Sequence, residues 1–271
     1  MSSVSPDRLL VDLSGSTEQM GRALGVAFHA YRTRGGINYV AANHAATLPE
    51  TFASLTQAVV GLSTLGRVSV PHPPSPATLR PDATSGVNRG YPASYGPKVF
   101  WKLYNAPNKA SQKGAGQKLA VIAAGNLSQP RRDLLTFERR FRLPRVRWNQ
   151  INVGKPSRDT SGATEFSLDT QYSTAFAPGV RSLFVYDAHS LSDRDILAAM
   201  DRFVTGNRSK QASFSAGECE RVARQGGLMS GLNTVLREGA AQGQTLFAAS
   251  GDDGAFCPSL IGIGHGSKWT I

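Results

Sequence analysis

The second half of the sequence alternates between short apolar segments and longer amphipathic segments, and this alternation limits the possible folds more than any other feature. Short apolar runs predict buried strands, whereas apolar residues three and four positions apart predict helices. Strand, helix and strand in repetition predict an α/β fold with a parallel sheet and right-handed crossovers. The predicted strands are 119–124, 149–153, 183–186, 211–216 and 246–250, and the predicted helices are 130–141, 164–176, 193–203 and 221–241, the last interrupted at Gly226 and Gly227.

A proline-rich segment separates this region from a smaller unit that precedes it. Residues 68–97 contain seven prolines mixed with glycine and serine, a composition that supports neither a strand ladder nor a helix interior. We therefore expect a small α/β domain at 1–67, a linker at 68–97 and a second domain at 98–271. Within the first domain, the predicted elements are a helix at 18–34, a strand at 37–41 and a helix at 49–60.

Composition excludes several classes of protein. With 40% hydrophobic residues, the chain has enough apolar side chains for a packed core. It contains no apolar run of about 18 residues, which a membrane-spanning helix would require, and residues 1–13 show no signal peptide. Two cysteines are too few for a structural zinc cluster or for a scaffold held by several disulfides.

The net charge of +11 is concentrated in one segment. Residues 96–158 contain 14 basic and two acidic side chains, whereas residues 159–271 contain nine basic and 12 acidic ones. The basic segment 98–158 is suited to binding phosphate backbones. The alternatives are a basic face exposed to solvent and a surface that docks another part of the molecule, and no recognised nucleic-acid-binding motif accompanies the charge.

Two acidic features are candidates for catalysis. Glu165 and Asp169 lie four residues apart on a predicted helix, so their side chains share one face. If that face is buried, the two carboxyl groups titrate as a coupled pair and can relay protons to a nucleophile. If it is exposed, they form an acidic first turn that the helix dipole stabilises. Asp252 follows the predicted strand 246–250, where it either reaches into a cleft or belongs to an ordinary Asp-Gly turn.

Cys219 and Cys257 each follow a predicted strand near the same edge of the sheet. Neighbouring strands could bring them within disulfide distance, and two buried free thiols are the alternative. The sequence has no His-Glu-x-x-His, Cys-x-x-Cys or Gly-x-Ser-x-Gly motif, and its five histidines are scattered. No metal site or catalytic triad is therefore evident.

Taken in order, several motifs resemble the sedolisin family of serine-carboxyl peptidases, which includes the kumamolisin-type enzymes and their pro-domains. The stretch Glu165-Phe-Ser-Leu-Asp169 matches the family's Glu-x-x-x-Asp helix. Segments 20–31 and 47–62 resemble the pro-domain, and segment 92–107 resembles its junction with the mature enzyme. Segment 119–144 resembles the first strand and helix of that enzyme. Segment 213–217 resembles a substrate-lining strand and loop, and segment 242–252 resembles the strand that carries the oxyanion-hole Asp.

The resemblance implies a fold and a set of roles. The fold is α/β, with a small ferredoxin-like α/β pro-domain and a subtilisin-like parallel-sheet catalytic domain that is incomplete at its carboxyl end. Glu165 is then the general base toward a serine, Asp169 orients it and shares its proton, and protonated Asp252 donates from the oxyanion hole at acidic pH. The other implied positions are the substrate-binding residues Ser213, Ser215, Ala216 and Gly217 and a disulfide between Cys219 and Cys257, which suits a secreted protein.

The sequence departs from the family pattern after Asp252. In the family, a nucleophilic serine lies in a Ser-Gly-Thr-Ser segment far downstream, followed by a calcium site, whereas here 19 residues follow Asp252 and the similarity ends near Cys257. We therefore expect a precursor truncated before its serine, inactive by itself, with no calcium or other cofactor. Its expected partners are protein or peptide substrates and its own pro-domain as an intramolecular inhibitor, with no membrane. The alternatives are a pro-domain that inhibits or chaperones a related peptidase, and phosphate-backbone binding by segment 98–158.

Overall fold

The computed structural model describes residues 3–33, 36–70, 96–106 and 113–251. Its N-terminal part is a small unit of short strands and helices. The elements of this unit are β1 (Ser3–Val4), β2 (Val11–Asp12), α1 (Thr17–Leu24), β3 (Phe28–Arg32), β4 (Asn38–Ala42) and α2 (Glu50–Ala53). β1 pairs with β2 and β3 pairs with β4, both antiparallel. The strand predicted at 37–41 is therefore present as β4.

Helix α1 is shorter than the single helix predicted at 18–34. The Ser16 hydroxyl accepts a hydrogen bond from the Gln19 N–H (3.2 Å), and Gln19 Oε1 accepts one from the Ser16 N–H (2.9 Å), so a capping box fixes the start. The helix ends at Gly25, whose φ of 64° is left-handed. The prediction was wrong beyond this glycine, because Phe28 and Tyr31, although helically spaced, lie on β3 and pair with β4.

The helix predicted at 49–60 is also shorter, since α2 spans only Glu50–Ala53. Phe52 and Leu55, which share one face of the predicted helix, are 62% and 81% exposed. Short helices in proteins depend on packing of an apolar face for their stability. The helix stops early because this face finds little to pack against.

The main body of the molecule is a five-stranded parallel sheet, which confirms the predicted fold class. Its strands lie in the order β6-β7-β5-β8-β9 and are β5 (Lys118–Ala124), β6 (Arg147–Val153), β7 (Ser182–Ala188), β8 (Gln211–Phe214) and β9 (Thr245–Ala248). Successive residues Val121 and Ile122 of β5 are both fully buried. Burial of both faces is typical of parallel sheets whose crossovers are helices.

The second part of the molecule also contains the helices α3 (Pro97–Leu103), α4 (Ser128–Phe141), α5 (Ala163–Phe176), α6 (Asp193–Gly206), α7 (Glu220–Gln225) and α8 (Leu228–Ala241). Helix α4 packs against α5, and α6 packs against α8. The predicted interruption of the last helix is present, because Gly226 and Gly227 separate α7 from α8. None of the helices in the described ranges has the length and apolar character to cross a bilayer.

The crossovers do not all follow the right-handed rule. The chain moves outward across the sheet from β5 to β6 through α4, and it moves back from β6 to β7 through α5. Since α4 and α5 pack together, both connections lie on one side of the sheet. Two connections that move in opposite directions on one side have opposite hands, so the right-handed prediction was wrong for one of them.

Candidate active site

Helix α5 carries both carboxylates of the Glu-x-x-x-Asp motif. Asp169 is largely buried, and this burial raises its pKa to about 6. The Ser215 hydroxyl, which follows β8, donates a hydrogen bond to Asp169 Oδ1 at 2.7 Å. Asp169 Oδ2 is buried with no hydrogen-bond partner among the described residues. An unpaired buried carboxylate oxygen costs free energy, and carboxyl groups with pKa values perturbed in this way are more frequent at functional sites than elsewhere.

Glu165 lies one helical turn before Asp169 and is half-buried. Between them, Ser167 donates a hydrogen bond to Asp133 on α4 at 2.9 Å. This bond links α5 to α4, against which α5 packs. The structure therefore places both carboxylates on one face of one helix, as their spacing predicts.

Strand β8 and the loop after it carry the four predicted substrate-binding residues. Ser215 donates a hydrogen bond to Asp169, and Ala216 is buried. Gly217 forms an antiparallel β-bridge with Ser69. Ser213 and Asp169 both line a cavity of about 650 Å³ beside β8. Sequence similarity alone selected these four positions, and the fold brings two of them, Ser213 and Ser215, to the Asp169 side of α5.

Residues 66–70, which we call the docked segment, run between the loop after β7 and the loop after β8. The Ser69 N–H donates to the Gly217 carbonyl (2.8 Å), and the Gly217 N–H donates back to the Ser69 carbonyl (3.0 Å). On the other side, the Val68 N–H donates to the Leu191 carbonyl at 3.0 Å. The two valines of the segment are 3% and 8% exposed, whereas the serine between them is exposed. The docked segment thus has the pairing and alternation of an added β-strand.

Sequence reasoning missed this segment. Prolines begin at Pro71 and dominate the composition of residues 68–97, which hides a short strand that ends just before them. The alternation in Val68, Ser69 and Val70 is the signal that could have found it, although three residues are too few to distinguish a strand by pattern alone.

Two further carboxylates border the docked segment. Burial, reinforced by the nearby Asp193, raises the pKa of Glu218 to about 7, while a hydrogen bond from the Arg67 backbone opposes the rise. Burial also raises the pKa of Asp193 to about 6. A Cβ atom on Gly66 would lie 2.3 Å from Asp193 Oδ2. The peptide therefore approaches this carboxylate more closely than any residue other than glycine permits.

The opposite, amino-terminal end of the strands has a different character. A cavity of about 1300 Å³ lies there, where β5, β6 and β7 begin at Lys118, Arg147 and Ser182. Its charged lining is entirely basic and consists of Lys98, Lys113, Lys118, Arg142, Arg145, Arg147 and Arg181. In the described part of the chain, none of these seven side chains forms an ion pair.

Two of the predicted site residues, Asp252 and Cys257, lie outside the described residues. The oxyanion-hole donor and the disulfide therefore stay predictions; Cys219 is buried at the start of α7. Within the described ranges, no group of three or more His, Cys, Asp or Glu side chains could hold a metal ion. The expectation that the chain uses no calcium also stays a prediction.

Comparison with known proteins points to one family for both parts of the chain. Residues 1–65 match the family described as the pro-kumamolisin activation domain. An alignment that covers 99% of the chain gives 28% identity to sedolisin of Pseudomonas sp. (strain 101). An alignment that covers 93% of the chain gives 28% identity to xanthomonalisin of Xanthomonas sp. (strain T-22). It spans 46% of the first protein and 32% of the second, which is less than half of each.

A solved structure matches the fold. Pseudomonas sedolisin, described as a serine-carboxyl proteinase complexed with two molecules of pseudo-iodotyrostatin, aligns with a TM-score of 0.59 and 28% sequence identity. The alignment covers 66% of this chain and 50% of the sedolisin chain. The five-stranded parallel sheet thus corresponds to the subtilisin-like fold of sedolisin.

Proposed function

We propose that this chain, a sedolisin-family pro-domain followed by part of a catalytic domain, belongs to the precursor of a serine-carboxyl endopeptidase that acts at acidic pH. The observation that supports the proposal most is the setting of Asp169. This buried carboxyl group has a pKa raised to about 6, accepts a hydrogen bond from Ser215 and lies one turn from Glu165. Such a pair can hold and exchange one proton, which is what activation of a nucleophile requires.

In the proposed mechanism, Glu165 accepts the proton of a serine nucleophile and later returns it to the leaving amine. Asp169 orients Glu165 and shares its proton, and it remains protonated more readily than an exposed aspartate because it is buried. Asp252 would donate a hydrogen bond to the oxyanion, which it can do only when protonated. The last requirement favours acidic pH.

We further propose that the docked segment keeps the precursor inactive. It is held through main-chain hydrogen bonds to Leu191 and Gly217, and Gly217 is one of the predicted substrate-binding residues. A strand in this position competes directly with an extended peptide substrate. We accordingly propose 1–67 as the pro-domain, 68–97 as the linker, 98–271 as the catalytic segment, and export from the cell for the precursor.

The test of the function is the complete product of the gene, assayed for cleavage of an unstructured protein at about pH 4 and about pH 7, near and well above the ordinary aspartate pKa. We expect cleavage at the acidic pH and its loss in the Glu165→Gln variant. A folded gene product that leaves the substrate intact at acidic pH contradicts the proposal. Residues 1–271 assayed alone are proposed to be inactive, and hydrolysis by them that Glu165→Gln abolishes would contradict that part.

The pro-domain as an inhibitor in trans is a second candidate, favoured by the pairing of Ser69 with Gly217. Residues 1–95 added to a related peptidase should reduce its activity at micromolar concentration. The matched control is the same fragment carrying Val68→Asp, which places a charge where the structure buries an apolar side chain. Inhibition by neither fragment would exclude this function, and equal inhibition by both would show that it does not depend on the docked segment.

Phosphate-backbone binding is a third candidate, favoured by the seven basic side chains around one cavity, none of which forms an ion pair with a described residue. A labelled single-stranded oligonucleotide should bind the chain, with an affinity that falls as salt rises, and bind less after charge reversal at Arg145 and Arg147. Affinity that does not change with salt would rule this function out.

A further inference from the structure

The docked segment lies in a cleft between the loop after β7 and the loop after β8. We propose that this cleft selects extended peptides of the pattern glycine, basic, aliphatic, any residue, aliphatic, with Asp159 and Asp193 as its specificity-determining residues. The inference deepens the proposed function and rests on it, because it treats the docked segment as occupying the place of a substrate. In the chain this segment is Gly-Arg-Val-Ser-Val, residues 66–70. Each position of the pattern follows from a separate contact.

The backbone of the docked segment fixes its register. Two hydrogen bonds join Ser69 to Gly217, and a third joins the Val68 N–H to the Leu191 carbonyl. These bonds involve only main-chain atoms, so any extended peptide can form them. Selection among peptides therefore depends on what each side chain meets once this register is adopted.

The two aliphatic positions are selected by burial. Val68 and Val70 belong to the same cluster of buried apolar residues as Leu191, Phe214 and Ala216. The side chain between them, Ser69, is exposed, as expected for a strand with one face on a core. A charged residue at either valine position would be buried without a partner. The middle side chain is in solvent, where the Ser69 hydroxyl donates a long hydrogen bond to the Gly217 carbonyl (3.4 Å), so this position tolerates other side chains.

The glycine position is selected by exclusion. Asp193 is 3% exposed, and its Oδ2 atom would lie 2.3 Å from a Cβ atom added to Gly66. A carboxylate at the end of an exposed side chain could turn away, but this one is enclosed. The cleft therefore disfavours any side chain at this position of the peptide.

The basic position is selected by charge. The Arg67 guanidinium lies 3.3 Å from Asp159 Oδ2. Hydrogen bonds from Ser161, followed by the charge of Arg67, lower the pKa of Asp159, so this carboxylate ionises at lower pH than an ordinary aspartate. Both side chains are about half exposed, and exposed ion pairs contribute modestly. We expect this position to be a preference and the aliphatic positions to be requirements.

The experiment measures binding of labelled peptides to the chain after its own segment is released. The Val68→Asp, Val70→Asp double variant empties the cleft, and fluorescence anisotropy reports binding of Leu-Gly-Arg-Val-Ser-Val-Pro, the sequence of residues 65–71. We expect saturable binding, a loss of about 100-fold or more when both peptide valines become aspartate, and a loss of about tenfold or more when the glycine becomes alanine. Replacing the peptide serine by glutamine is the matched control and should change affinity less than about threefold.

A double-mutant cycle tests Asp159. The Asp159→Asn variant should bind the arginine peptide about three- to fivefold less tightly and bind a glutamine-for-arginine peptide unchanged. Equal losses for both peptides would overturn the role of Asp159, and equal affinity for the valine and aspartate peptides would overturn the pattern.

If the Val68→Asp, Val70→Asp double variant does not fold, hydrogen exchange replaces the peptide-binding measurement. The Gly217 amide should exchange about tenfold faster in Val68→Ala than in Ser69→Ala, and equal rates would overturn the inference.

Failure of this inference and failure of the proposed function give different results. If the peptides bind in the stated order but the complete gene product hydrolyses nothing, the specificity holds and the peptidase function fails. If the gene product hydrolyses proteins at sites that lack the aliphatic alternation, the peptidase function holds and the specificity fails.

Discussion

The two ends of the parallel sheet carry opposite charges in very different settings. At the carboxyl end, Asp187, Asp193 and Glu218 are largely removed from water, and burial raises the pKa of each. At the amino end, Lys118, Arg147 and Arg181 are exposed. Charges in water cost little to maintain, whereas buried carboxylates lower stability at neutral pH. The comparison therefore indicates the carboxyl end as the place where function has been favoured over stability.

The strongest test of this comparison separates one buried carboxylate from another. In the complete gene product, Asp169→Asn should lower kcat/KM for a peptide at about pH 4 by about 10²- to 10⁴-fold, the range typical of lost proton transfer. Asp187→Asn is the matched control, because Asp187 is also buried, has a pKa of about 6 and accepts a hydrogen bond from Gln150. It should change kcat/KM less than about threefold, and equal losses in both variants would show that burial alone matters.

The docked segment gives the next largest effect. In residues 1–271, trypsin should cut after Arg67 only when the segment is released, because proteases require an extended, accessible chain. Val68→Asp should accelerate that cut by about tenfold or more, since it buries a charge. Ser69→Gln, one residue away and exposed, should leave the rate nearly unchanged. Mass spectrometry of the products measures both rates, and rapid cutting of the unmodified chain would mean that the segment is not docked.

The pH dependence of stability follows from the raised pKa values. Asp169, Asp187 and Asp193 have folded-state pKa values of about 6, and Asp201 and Glu218 of about 7, against about 4 for unfolded carboxyl groups. The folded state therefore binds more protons between about pH 4 and pH 7, so stability falls as pH rises through that window. Thermal unfolding should occur at a higher temperature at about pH 5 than at about pH 8. The difference should be about 2–4 °C for each kcal/mol by which the free energy of unfolding differs between the two pH values. The opposite order would contradict the burial of these groups.

The smallest effect belongs to the amino end. Replacing Arg147 by glutamine removes one of several like charges around the cavity and breaks no ion pair in the described residues. We expect a change in unfolding free energy within about 0.5 kcal/mol, as for most exposed positions, and unchanged hydrolysis by the gene product. A large loss of stability in a urea titration would show that the two ends of the sheet do not differ as described.

Much of the sheet could be predicted from the sequence, because apolar runs such as 119–124 and 183–186 have no alternative to burial. The N-terminal helix could not, since Phe28 and Tyr31 suit both a helix and a strand, and only the pairing of β3 with β4 decides between them. Motif similarity selected Glu165 and Asp169 as candidates, and their catalytic role stays a prediction. Asp159, Asp193 and Glu218 were missed because their importance depends on the docked segment, which meets them only after folding.

The most direct test of the account follows acid activation of the complete gene product over time. Peptide hydrolysis and the integrity of residues 66–97 would be measured in the same samples after the pH is lowered. The account predicts that hydrolysis appears only as the chain is cut within or after the docked segment, and that Val68→Asp shortens the delay while Ser69→Gln does not. Full hydrolytic activity with residues 66–97 uncut and the docked segment still in place would contradict it.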